Sequence, residues 1–289
     1  MNTVSDWDCY FDRILENAVE IGEDITYRVR DSDYDALQTY AEARKIRQDA
    51  VENMLKERDA DYITELFIDT ICGESKNIIA TLSGDSAKIV YITAHSDYAA
   101  GTGAEDNGSG IAVALAAYDC LKNEDIPFTL KIAIFDNEEV FSIGSQYYVN
   151  ARSEEEKENI LGVINLDCVG SGKDLVLPKA TLNVVDLGKS ITYADPDLHK
   201  CLVESAEDLG YTPITASFDT FYTDHDAFCR AGIPAATIST AEILSDSNYN
   251  PEFTSPVHSP NDIRSALKDE YLNRTLAVVL KTVEKIKIW

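Results

Sequence analysis

The sequence predicts a single-domain α/β protein with a mixed, mostly parallel central β-sheet flanked by helices. Three observations carry this expectation. From residue 77 onward, short apolar runs of β type alternate with longer runs of helical type. Ligand-type side chains follow the ends of those short runs, where ligands gather in open α/β sheets. The chain, at 289 residues, is long for one domain and short for two, and no stretch has a linker's composition. Residues 1–289 are therefore read as one domain, with residues 1–75 a helical segment packed on it.

Each element has its own justification. Residues 15–29 and 34–63 carry apolar side chains at spacings of three and four with charges between, the pattern of two helices. The stretch Asp31–Asp35 (DSDYD) offers N-cap side chains where they break. Residues 77–82 (NIIATL) and 89–93 (IVYIT) read as strands joined by a Ser-Gly-Asp turn. Residues 110–121 (GIAVALAAYDCL) are almost wholly apolar, and their alanine content and length favour a buried helix. Ser109 and Gly110 open that helix, so its free N–H groups favour nearby anions. Residues 129–135 (TLKIAIF) form the next strand, followed by Asp-Asn-Glu-Glu and a helix beginning in SIGSQYYV. The charged stretch 151–160 reads as a solvated connection. Residues 161–166 (LGVINL) are a strand ending at Asp167, and residues 174–177 extend the sheet. Residues 195–210 make an amphipathic helix with Leu198, Cys201, Leu202, Ala206 and Leu209 on one face. Residues 234–239 (PAATIS) read as one more strand. Ser259 as N-cap, Pro260 at N1 and Asp262 at N3 predict the start of the last helix, which carries Leu272, Leu276, Val279, Leu280 and Val283.

Composition removes several classes of function. A formal net charge of −26 leaves no basic patch, which argues against nucleic acid and anionic membranes as partners. No run approaches the roughly 18 apolar residues that a membrane span requires. The opening MNTVSDWDCYFDRILENAVE has neither the basic nor the apolar region of a signal peptide. Six cysteines (9, 72, 120, 168, 201 and 229) are scattered singly, as in a reduced cytoplasmic protein. A cytoplasmic location is the expectation.

The strand ends hold the chemistry. His95 follows one strand, Glu138 and Glu139 another, Asp167 a third, and His258 comes after the loop beyond a fourth. Two imidazoles with several carboxylates are the ligand set of zinc or a similar borderline cation. Carboxylates gathered this closely repel one another unless a cation neutralises them. Asp97, two residues after His95, supplies the carboxylate to which a metal-bound imidazole donates its second nitrogen. A lone histidine is more often structural, and an isolated Glu-Glu pair is more often an exposed turn; only the company of the other segments changes that balance. Of the four histidines, His199 lies off the apolar face of its helix and reads as a surface residue. The other three, His95, His225 and His258, fall in loops beside polar groups.

The segments HSD–GAEDNGSG, FDNEEVFSIGSQYY, INLDCVG, TDHDAF–AGIPA and HSPND stand in an order and spacing that resemble the two-zinc aminopeptidases, metallopeptidase family 28. The resemblance spans residues 77 to 289 and implies the zinc-peptidase fold. It implies two divalent ions, zinc before manganese or cobalt, with His95 and Asp167 on one, Glu139 and His258 on the other, and Asp106 bridging. It further implies Asp97 as orienter of His95, Glu138 as general base, and a cis peptide at Asp106–Asn107. Two such cations share a water, lower its pKa and polarise a scissile carbonyl, and Glu138 can carry the proton to the leaving amine. His225 either donates to the substrate carbonyl or oxyanion, or pins the loop before Gly232. Family members often place a tyrosine before the last histidine ligand; here that residue is Val257, so Tyr222, Tyr249 or His225 is left to support an oxyanion. The implied activity is removal of N-terminal residues from peptides. Three alternatives stand beside it: a glutaminyl-cyclase-like acyltransferase, a two-metal carboxypeptidase or deacylase, and a binding protein with a decayed site. The cyclases are typically secreted one-zinc enzymes, and the Asp106-Asn-Gly-Ser loop leans towards a peptidase. A substrate carboxylate would need a basic residue, and no arginine sits in the metal motifs; every ligand position is filled.

Overall fold

In the computed structural model, which describes residues 3–183, 190–219, 221–245 and 247–287, the strand ends that matter lie side by side. In chain order the elements are α1 (Asp8–Ile14), α2 (Thr26–Arg30), α3 (Tyr34–Glu57), β1 (Asp61–Asp69), β2 (Gly73–Leu82) and β3 (Ile89–His95). After a wide turn over Ala104–Ser109 come α4 (Gly110–Leu121), β4 (Thr129–Phe135), α5 (Ile143–Asn150), α6 (Glu154–Glu158) and β5 (Ile160–Leu166). Then follow β6 (Asp174–Val176), β7 (Ala180–Asn183), β8 (Ser190–Tyr193), α7 (Pro196–Asp208) and β9 (Ser217–Phe218). The chain ends through α8 (His225–Arg230), β10 (Ala235–Ile243), β11 (Phe253–Thr254) and α9 (Asp269–Ile286).

The main sheet has the order β1-β2-β4-β3-β5-β10-β11, with β6 also paired to β10. Strands β4, β3, β5 and β10 run parallel, and β1 and β2 form an antiparallel edge. This is the mixed, mostly parallel sheet that the alternation of strand and helix predicts. A small second sheet, β8-β7-β9, lies apart from it. Register aligns the chemistry. His95 pairs with Phe135, and Thr93 with Asn165, so the residues following β3, β4 and β5 emerge at one level of the sheet.

Helix α4 is buried from Gly110 to Tyr118, as its unbroken apolar run requires. One core joins it to the N-terminal helices and α9 through Trp7, Phe11, Met54, Leu115 and Leu276. The opposite face of the sheet is covered by α5 and α8, where Tyr91, Phe135, Tyr148 and Phe228 pack together. No helix among the described residues is long and apolar enough to cross a membrane.

Three expectations need correcting. The N-terminal 75 residues are not all helical. Residues 15–25 carry no regular helix, and Asp61–Asp69 is a strand that pairs residue for residue with β2, from Asp61 opposite Thr81 to Asp69 opposite Gly73. Charges continue from α3 into this strand, but its ladder partners are supplied by a later segment, and tertiary pairing overrides local pattern. The last helix begins at Asp269 rather than Ser259. Asp262 is diverted from capping: its carboxylate accepts from Glu105 N at 2.5 Å and Asp106 N at 3.1 Å. The connection 151–160 holds a short helix closed by a capping box between Ser153 and Glu156.

Candidate metal centre

Each polar side chain of the site reaches it from the end of a buried strand or from a loop that such an end anchors. His95 is the last residue of β3, Glu138 and Glu139 lie in the turn after β4, and Asp167 follows β5. Asp106 sits in the wide turn before α4, with a cis peptide to Asn107 as the resemblance implies. That turn is held tightly. Asn107 Nδ2 donates to Leu166 O at 2.8 Å, and the Glu105 carboxylate accepts from Gly170 N and Ser171 N at 2.9 Å each. A Cβ on Gly110 would lie 2.3 Å from Asn107 Oδ1 and 2.8 Å from Leu166 O, so only glycine fits where α4 meets β5.

Two groups of ligand atoms result, His95–Asp106–Asp167 and Asp106–Glu139–His258, each within 4.8 Å. Asp106 belongs to both. Its Oδ1 is 3.1 Å from His95 Nε2, and its Oδ2 is 3.4 Å from His258 Nε2. His95 Nε2 is also 3.6 Å from Asp167 Oδ1, and His258 Nε2 is 3.2 Å from Glu139 Oε2. Although carboxylates surround it, His95 Nε2 is buried without a hydrogen bond, as is Glu139 Oε1. Nitrogen and oxygen atoms orphaned in this way, in a set of two imidazoles and three carboxylates, fit a divalent cation such as zinc.

The electrostatics show the same crowding. Burial pushes the Glu139 carboxyl up to about 7, assisted by Asp106 and opposed by His258. Burial also raises Glu138 well above the usual carboxylate range, with Asp167, Asp224 and Glu139 adding to the effect. The charge of Glu139 holds His258 far above an ordinary imidazole. For His95, burial works against protonation, but Asp106 and Asp167 outweigh it and the pKa rises. Imidazoles and carboxylates crowded in this way are a charge pattern that a bound cation would balance.

A second layer positions these groups, and much of it comes from the N-terminal segment. Asp97 meets His95 chiefly through its backbone, since His95 Nδ1 lies 3.1 Å from Asp97 O and 3.6 Å from Oδ1. The Asp97 carboxylate instead accepts from Glu138 N at 3.0 Å and Glu139 N at 2.9 Å, fixing the turn that carries both glutamates. Tyr40 of α3 donates to Asp97 Oδ2 at 2.5 Å. Asp24 Oδ2 lies 2.9 Å from His258 Nδ1. Arg30 donates to the backbone carbonyl of Glu139. Asp24, Arg30 and Tyr40 were invisible to sequence reasoning, because nothing local in the helical segment marks them.

Beside the ligand groups lies a cavity of about 210 Å³, walled by Phe141, Phe221, Tyr222, Phe253 and Val257. Tyr222 lines it, and its hydroxyl is buried without a hydrogen-bond partner. Tyr249 does not; it is exposed and donates to Asp219 Oδ1 at 2.8 Å. The structure does not bring His225 to this cavity either. Its Nε2 is 3.3 Å from Thr181 Oγ1, and burial lowers its pKa to about 4. His199 is half-buried rather than free on the surface, its Nε2 3.0 Å from Leu177 O.

The sequence profile of peptidase family M28 matches residues 77–283. Aminopeptidase YwaD of Bacillus subtilis is 28% identical over 221 residues, covering 74% of this chain and 46% of that protein. The structure of BSAP, a zinc aminopeptidase from Bacillus subtilis, aligns with 27% identity and a TM-score of 0.61 over 75% of this chain and 51% of its own. A glutaminyl cyclase from an Acidobacteriales bacterium aligns over 98% of this chain and 93% of its own, with a TM-score of 0.71. Its identity of 16% makes that a likeness of fold alone. The chain spans between about a third and a half of the length of the curated relatives it matches.

Proposed function

This chain belongs to peptidase family M28, and from that premise we propose that it is a two-metal aminopeptidase releasing N-terminal residues from peptides. The observation that carries the reading is the sharing of Asp106 between two three-residue ligand groups. In this proposal His95, Asp106 and Asp167 would hold one ion, and Asp106, Glu139 and His258 would hold a second. Divalent ions bound there, zinc in the first instance, supply Lewis-acid polarisation of the scissile carbonyl and acidify water at neutral pH.

The chain's own groups do the rest. Glu138 is the general base. Its Oε2 lies 4.0 Å from His95 Nε2, beside the ligands but outside both ligand groups, and Ser142 Oγ donates to its Oε1 at 3.1 Å. Set beside the ligand groups but outside them, Glu138 can take a proton from water and deliver it to the leaving amine. Asp97 is a positioning residue, holding the Glu138–Glu139 turn by two backbone N–H groups. The Tyr222 hydroxyl is the donor for the developing oxyanion. The substrate's α-ammonium is attracted to the acidic end of the cavity, around Asp167 and Glu138, which makes the enzyme an exopeptidase.

Residues 1–289 act as one peptidase domain in this reading, since α1 and α3 share a core with α4 and α9. A cytoplasmic location is supported by six cysteines that form no disulfide. The test is a panel of aminoacyl chromogenic substrates with and without added zinc, run alongside a peptide with N-terminal glutamine. Zinc-dependent release of the N-terminal residue is the expected result, and cyclisation without hydrolysis refutes it. Glu138→Gln should retain metal at the wild-type level and lose turnover by roughly 100-fold or more.

A further inference from the structure

The cavity beside the ligand groups contains an arginine that no metal motif contributes. Arg30, at the end of α2, is the one Arg or Lys among its described lining residues, which include Asp106, Glu138, Glu139 and Asp167. The guanidinium lies 4.7 Å from the centroid of the Phe141 ring and 5.5 Å from that of Tyr27. Its Nη2 donates to the carbonyl of Glu139, and its Nε–H is buried with no hydrogen-bond partner. Among the described residues, no carboxylate pairs with it, although the chain carries 51 acidic residues against 25 basic ones. A guanidinium kept without a carboxylate partner in an acid-lined cavity is placed to receive an anion from outside.

Arg30 makes its hydrogen bond beside one of the two ligand groups. It is tied to Glu139, the residue grouped with His258, whereas Asp167 belongs to the other group. A peptide bound across both groups, with its ammonium drawn to the Asp167 end, directs its far end towards Arg30. The cavity, at about 210 Å³, is smaller than the roughly 300–1,000 Å³ of ordinary small-molecule sites, so it suits a short substrate. One residue beyond the scissile bond adds only about 3.5 Å of chain, which in a dipeptide brings the terminal carboxylate into this end. A guanidinium fork matches a carboxylate in charge and geometry.

We propose that Arg30 binds the free C-terminal carboxylate of the substrate, so that the preferred substrates are dipeptides rather than long peptides. The proposal rests on the aminopeptidase reading above. Arg30 is a specificity residue here: it touches the substrate but no reacting atom.

The experiment uses the full chain with zinc and compares dipeptides X-Leu with the same dipeptides as C-terminal amides. Wild-type enzyme should favour the free acid in kcat/KM by roughly 10- to 100-fold, the scale of a charge-assisted hydrogen-bonded pair. Arg30→Met should bring the acid-to-amide ratio towards 1, mainly through KM of the acid, and Arg30→Lys should retain part of the preference. If Arg30 only braces the Glu139 carbonyl, Arg30→Met lowers both substrates by the same factor, and that outcome overturns the proposal. A wild-type ratio near 1 overturns it without any variant, should the Met protein not fold. Hydrolysis of neither acid nor amide by the wild type overturns the aminopeptidase reading itself, and the dipeptide preference falls with it.

Discussion

At the scale of single residues, the two proposed histidine ligands are supported in different ways. His95 is buried and leans on the backbone carbonyl of Asp97, two positions along its own chain. His258 is partly exposed and leans on the Asp24 carboxylate, 234 positions away. Asp24 also accepts from Thr26 N at 2.8 Å and Thr26 Oγ1 at 2.6 Å, so its orientation is fixed before it meets the imidazole. Outer partners of this kind typically contribute 10- to 100-fold in metal affinity. Asp24→Asn should therefore weaken binding of one ion by about that factor in a competitive zinc titration, and equal affinities in the two proteins would refute the assignment. His95, Glu139, Asp167 and His258 were legible as candidates because each falls at or beyond a strand end, whereas Asp106 was singled out through the resemblance to metallopeptidase family 28. Asp24 and Tyr40 were not, because only long-range packing gives them their roles. His225 provides a second prediction at this scale. Its folded pKa of about 4 lies below the unfolded value of 6.5. The unfolded state thus binds the proton first, and stability present above pH 6.5 is lost as pH falls towards 4. The shift corresponds to about 3 kcal/mol. The difference in unfolding free energy between wild type and His225→Gln, measured by urea titration, should shrink across that interval. A difference independent of pH would show that His225 is not buried in its neutral form.

At the scale of elements, the junction of β5, the turn before α4, and α4 itself sets the position of Asp106. Asn107 binds Leu166 O with its Nδ2 and receives Gly110 N at 3.0 Å on its Oδ1, tying the strand end to the helix start. The apolar run of 110–121 made this helix legible, and its burial follows from the same run. Why glycine begins it was not legible, since the close approaches are to the Asn107 side chain as the turn orients it and to a carbonyl 56 residues later in the chain. Gly110→Ala forces the turn and β5 apart, at a cost of about 1–3 kcal/mol as in other overpacked sites. The expected outcome is a lowered urea midpoint together with weaker binding of both ions, because Asp106 moves with the turn. Loss of stability with metal affinity intact would separate the junction from the site. Strand β1 shows the opposite limit of sequence reading. Phe67 is buried while Leu66 and Ile68 are largely exposed, so no clean alternation announces the strand. Its existence depends on β2 as a partner.

At the scale of the whole molecule, charge is the dominant fact. The chain carries a formal charge of −26, and its site concentrates Asp106, Glu138, Glu139 and Asp167 within one buried cluster. Self-repulsion of this kind opposes the compact state, and divalent cations relieve it both locally and over the surrounding surface. Ions that bind only the folded chain stabilise it by mass action, about 4 kcal/mol for a site whose free ligand is a thousandfold above its dissociation constant. Removing metal with a chelator should therefore lower the Tm by several degrees, and adding back zinc should restore it. Monovalent salt screens the exposed charge but reaches buried carboxylates far less. Raising ionic strength should consequently recover only a minor part of the loss. A chelator without effect on Tm would argue that the carboxylate cluster is stable without cations. Full recovery by sodium chloride alone would assign the effect to surface charge rather than to the site.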